Sequence, residues 1–123
     1  MIEIQSRQNA ALKHLARLGR ERKYRRSTGE MLCEGEKMLE EALRSGAVLK
    51  TVLARRGWES EMLREAESRG AALYCAEDAL FRLASEVESP QNVIFSCMQP
   101  QWDVAALDGK EQVLLLDGLQ DPG

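Results

Sequence analysis

Seven cations crowd the stretch from Lys13 to Arg26: Lys13, Arg17, Arg20, Arg22, Lys23, Arg25 and Arg26, with Tyr24 set among them. Guanidinium groups bind phosphate oxygens in paired, planar fashion, and a tyrosine ring can stack on an unpaired base, so these eight residues are candidate RNA contacts. The competing reading is a solvated helical face whose tyrosine packs on the core. Charge distribution favours nucleic acid. Residues 1–29 hold eight Lys or Arg against two acids, a net +6, whereas residues 30–123 hold nine against eighteen, a net −9, so the overall −3 conceals a basic segment on an acidic body. Such a protein is expected to touch a polyanion with that segment alone.

Other reactive groupings are sparse. With a single histidine, His14, the chain has no Ser/His/Asp set, and it has no phosphate-binding glycine loop and no carboxylate pair whose spacing supports a catalytic cleft. Glu34 and Glu36 sit at a strand end and a helix start, where carboxylates interact with a helix N-terminus. Cys33, Cys75 and Cys97 each fall in an expected strand, widely spaced, which reads as buried thiols in a reducing compartment and as neither a disulfide framework nor a zinc site. No catalytic, cofactor-binding or metal residue is assigned to the chain.

The elements that would position the basic segment follow from periodicity. Ser6 and Asn9 offer cap oxygens for a helix from Ala10 to about Leu18, with Ala11, Leu15 and Leu18 on one face and Lys13, Arg17 and Arg20 on the other. Gly19 either ends this helix or weakens it. Residues 27–29 break the basic run, and a strand over 30–33 leads into Gly35, which opens a helix striped by Met38, Leu39, Ala42 and Leu43 and closed at Gly46. A strand over 48–54, a helix over 60–68 and a strand over 71–75 follow. A short helix beginning at Glu77 or Asp78 carries Leu80, Leu83 and Ala84, and residues 93–98 form another strand. Alternation of this kind implies an α/β chain folded as a three-layer α/β/α sandwich around a mixed sheet of about four strands. Residues 100–109 read as a linker, and residues 113–116 as a buried strand ending in turns.

A composition of 44% hydrophobic and 30% charged residues argues for a globular fold and against disorder. No apolar run approaches the ~20 residues of a membrane span, so no membrane partner is expected. An Arg-rich N-terminus raises the possibility of a transit peptide, but Glu3 and the early helical pattern count against it, leaving a cytoplasmic protein of bacterial type.

The stretch from Leu116 to Gly123, Leu-Asp-Gly-Leu-Gln-Asp-Pro-Gly, resembles the first motif of the knotted ribose 2'-O-methyltransferases, the TrmH or SpoU branch of the SPOUT superfamily. The upstream chain is similar to the RNA-binding substrate domain of that branch. The marks are Ser6 and Asn9, the basic segment ending Tyr24-Arg25-Arg26, the Cys33-Glu34-Gly35-Glu36-Lys37 step, Glu41-Ala42-Leu43 with Gly46, and Ser89-Pro90-Gln91. The resemblance implies an L30e-like RNA substrate-binding domain over residues 1–99, a linker over 100–111, and the opening of a methyltransferase domain over 112–123. It further implies a parent enzyme, a homodimer, that uses S-adenosyl-L-methionine bound in a knot outside this stretch. The stretch itself is expected to be monomeric, inactive alone and free of bound cofactor. The implied partner is structured RNA, ribosomal RNA first and tRNA as the alternative. Two rivals are a self-standing L30e-like RNA-binding protein and a protein-interaction domain whose basic arm meets an acidic protein.

Overall fold

The computed structural model describes residues 1–85 and 91–99. The expected linker, Ser89-Pro90, the strand over 113–116 and the terminal motif lie outside the described residues. Five strands form one mixed sheet in the order β1-β4-β3-β5-β2: β1 Ile2–Ile4, β2 Glu30–Glu34, β3 Leu49–Arg55, β4 Ala72–Ala76 and β5 Val93–Met98. β1, β4 and β3 run parallel, whereas β5 is antiparallel to both of its neighbours, β3 and β2. The expected count of about four strands is corrected to five. The extra strand is β1, which is three residues long and exposes Ile2 and Glu3, so only Ile4 carries a burial signal and no periodicity can develop.

Five α-helices accompany the sheet: α1 Ala10–Arg20, α2 Arg22–Thr28, α3 Glu36–Ser45, α4 Glu61–Ser68 and α5 Asp78–Phe81, the last continuing into a 3-10 turn over Arg82–Ala84. Alternation along the central strands feeds two separate cores. Val52, Ala54, Val93 and Phe95 face α3 and α4 through Leu39, Leu43 and Leu63. Leu53 and Ile94 face the other way, toward Leu12, Leu15 and Leu18 of α1 and toward Phe81. Period-two alternation with both faces covered is what makes the stretch Val93–Cys97 of β5 wholly buried, and it produces the three-layer sandwich.

Cys33 and Cys97 are buried on adjacent strands, while Cys75 is only half-buried, a partial correction to the expectation of three buried thiols. The hydrogen bond with Cys97, followed by burial, pushes the Cys33 thiol well above its ordinary range and keeps it protonated. Such a thiol is a small hydrophobe, not a nucleophile.

Candidate RNA interface

The basic run folds as two helices with a corner between them. Asn9 Oδ1 accepts from the backbone N–H groups of Ala11 and Leu12 at 2.8 and 3.1 Å, which starts α1 firmly. Leu12, Leu15, Ala16 and Leu18 are then turned to the sheet, and Lys13, Arg17 and Arg20 to solvent. Gly19 does not end the helix. The break comes at Glu21, whose extended backbone (φ −117°, ψ 108°) separates α1 from α2, and α2 ends at Gly29 in the left-handed conformation (φ 75°).

A chain of side-chain contacts fixes this corner to the body. Glu30 Oε1 lies 2.9 Å from His14 Nε2, and the Tyr24 hydroxyl lies 2.7 Å from His14 Nδ1. A carboxylate can only accept, so Nε2 carries the proton and, in a neutral ring, Nδ1 accepts from the tyrosine. Tyr24 is half-buried and packs against the core that holds Leu12, Leu15 and Leu18. The Arg17 guanidinium carbon lies 3.9 Å from the centroid of its ring, covering part of the surface that a base would need. His14 and Glu30 were not marked by the sequence, because neither stands in a motif and their separation of 16 residues is bridged only by the fold.

The seven cations divide accordingly. Arg25 is half-buried and its Nη1 donates to the Leu18 carbonyl at 2.6 Å, satisfying a carbonyl at the end of α1. Arg17 donates to Glu21 at 3.0 Å, and this hydrogen bond is the main cause that raises its pKa above the ordinary arginine value. Lys13 Nζ reaches Gln8 at 3.2 Å. Arg20, Arg22, Lys23 and Arg26 are exposed and form no ion pair among the described residues. Elsewhere, Arg44 is matched with Glu40 and Glu41, Arg64 with Glu61, Arg69 with Glu65 and Arg82 with Asp78, whereas Arg7, Lys37 and Lys50 are exposed without an ion pair among the described residues.

Glu34 and Glu36 are structural in their visible contacts. Glu34 Oε1 accepts from Ser85 Oγ at 2.9 Å and Glu36 Oε2 from Asn92 Nδ2 at 2.7 Å, while Gly35 N–H donates to the Val93 carbonyl. Gly35 is held at φ 107°, which a side chain at this position would resist. The step thus fastens the two described ends of the 85–92 segment to the start of α3. Among the described residues, no group of three or more His, Cys, Asp or Glu is placed to hold a metal ion.

Residues 9–94 match the family described as the MRM3-like substrate binding domain. Over 123 residues, all of this chain, the sequence is 32% identical to the 23S rRNA (guanosine(2553)-2'-O)-methyltransferase RlmP of Bacillus subtilis (strain 168), covering 47% of that protein. The chain therefore spans about half the length of that relative. An AdoMet-bound rRNA methyltransferase from Sinorhizobium meliloti matches the structure with a TM-score of 0.76 over 89% of this chain and 41% of that one, at 21% identity, a likeness of fold. An RNA 2'-O ribose methyltransferase matches with a TM-score of 0.67 over 94% of this chain and 42% of that one, at 26% identity.

Proposed function

This chain belongs to the MRM3-like substrate-binding domain family, and we propose that it is the RNA-recognition domain of an S-adenosylmethionine-dependent ribosomal RNA ribose 2'-O-methyltransferase. The observation that carries the reading is the set of unmatched, exposed cations Arg20, Arg22, Lys23 and Arg26 on the α1–α2 corner of a chain that is otherwise acidic. Lys13 and Arg17 extend the surface along α1, and Arg25 and Tyr24 hold it in place. Phosphate contacts of this kind fix the register and orientation of an RNA without reading its sequence. Orientation is itself catalytic when a reacting ribose is thereby held against a methyl donor.

The reading assigns methyl-donor binding to other residues of the whole protein, and its dimerisation with them. It also assigns residues 1–99 to an L30e-like recognition domain working on ribosomal RNA in the cytoplasm. No helix among the described residues is long and apolar enough to cross a membrane.

The test compares partners. Anisotropy titrations of this chain against a structured ribosomal RNA fragment and against poly-glutamate of similar charge are expected to give salt-sensitive binding to the RNA and none to the polypeptide at the same ionic strength. Equal binding to both would overturn RNA recognition in favour of an acidic protein partner.

A further inference from the structure

Beside the corner lies a cleft of about 280 Å³ between α1 and the 3-10 turn, in which the structure adds Arg7 to three cations of the basic run. Its floor is apolar, formed by Leu12, Ala16 and Leu83. Its rim holds Lys13, Arg17 and Arg20 from successive turns of α1 together with Arg7, which precedes the helix and lies outside the basic run. Glu21 answers Arg17 and Gln8 answers Lys13, but Arg7 and Arg20 are exposed without an ion pair among the described residues. Like charges gathered around one concavity repel, and an anion seated among them relieves that repulsion.

Resting on the RNA-recognition reading, we propose that this cleft seats one unpaired nucleotide of the RNA, its phosphate among Arg7, Lys13 and Arg20 and its base against the half-buried Leu83. A phosphate alone leaves the apolar floor unused, and a neutral base alone leaves the cations unanswered. A nucleotide uses both. The cleft falls just below the ~300–1,000 Å³ typical of sites for drug-sized ligands, which fits part of a single nucleotide and not a longer segment. A base within a double helix is stacked and cannot reach the floor, so the RNA class selected is single-stranded: a loop, bulge or end. Arg17, which also lines the cleft, is held between Glu21 and the Tyr24 ring, so its side chain is already ordered, which reduces the entropy lost on binding.

The experiment is an NMR and anisotropy titration of the chain with a six-nucleotide single-stranded RNA and with a blunt duplex of equal length, repeated for two double variants. In the unaltered chain the single strand is expected to shift the amides of Lys13, Arg17 and Leu83, and the duplex to leave Leu83 unmoved. Arg7→Gln with Arg20→Gln is expected to abolish the preference for the single strand and to flatten the log-log salt slope by about 1.4, two contacts at roughly 0.7 each. Arg22→Gln with Lys23→Gln is expected to flatten the slope while keeping the preference. If RNA binds but the Leu83 region does not shift and the Arg7/Arg20 variant keeps its preference, the cleft is overturned and RNA recognition stands. If neither RNA binds the unaltered chain at low salt, both fail.

Discussion

Arg25 carries a charge that sequence density assigns to RNA, yet the fold engages it with the Leu18 carbonyl. Hydrogen bonds from charged donors contribute roughly 1.5–3 kcal/mol. Arg25→Ala is therefore expected to lower unfolding stability by an amount near the bottom of that range, read by urea denaturation, whereas exposed Arg26→Ala should stay within about 0.5 kcal/mol. Tyr24 left two readings open in the sequence, base platform or core tyrosine, and its hydrogen bond to His14 and its contact with Arg17 favour the latter. Tyr24→Phe keeps the ring and removes the hydroxyl, so a loss of about 1 kcal/mol in stability with unchanged RNA affinity is expected. Tyr24→Ala removes the ring as well, and a loss of RNA affinity with unchanged stability in that variant would restore the base-platform reading. What the sequence could show here was residue type and density. It could not show which cations are used internally, because the Leu18 carbonyl, His14 and Glu30 become neighbours only after α1 turns at Glu21.

At the scale of elements, legibility tracked apolar periodicity. α3, α4 and β5 carry clear stripes or apolar runs and were placed within a residue or two of their observed bounds. α2 was not separated from the basic run, since among its seven residues only Tyr24 offers an apolar mark and a stripe needs repeats. The apolar face of α1 was misplaced by one residue: Leu12 is buried and Ala11 only half-buried, because the helix buries the wider stripe Leu12, Leu15, Ala16 and Leu18. Its start was legible from Asn9, and the two hydrogen bonds it accepts make a prediction. Asn9→Ala is expected to cost about 1 kcal/mol, and Asn9→Asp to recover most of it, measured by thermal melts. Restoration by aspartate would separate capping from any direct part in RNA binding, since a carboxylate next to the phosphate surface should weaken RNA affinity even as the helix is restored.

The whole molecule sets the sign of its long-range field. Charge segregation was fully visible in the sequence, because net charge needs no fold, but the surface that displays it was not. The structure shows it bent around a corner, with Arg22, Lys23 and Arg26 on α2 and Lys13, Arg17 and Arg20 on α1. On the RNA-recognition reading, the exposed cations of this corner steer RNA to one surface, an effect that acts over about a Debye length and fades with salt. Three consequences can be measured together. Replacing Arg22, Lys23 and Arg26 by alanine should reduce the salt slope for single-stranded RNA by up to ~2, three contacts at about 0.7 each, and should do so for all RNA sequences alike. The same variant should lose association rate at low salt while its dissociation rate changes less, since exposed charges act mainly on encounter. Its stability should hold or rise slightly, because these side chains make no ion pair among the described residues and repel one another. A stopped-flow series across ionic strength, run beside urea denaturation, reads all three quantities. An unchanged slope and unchanged association rate would move the RNA contact away from α2 altogether and leave the α1 surface to carry it.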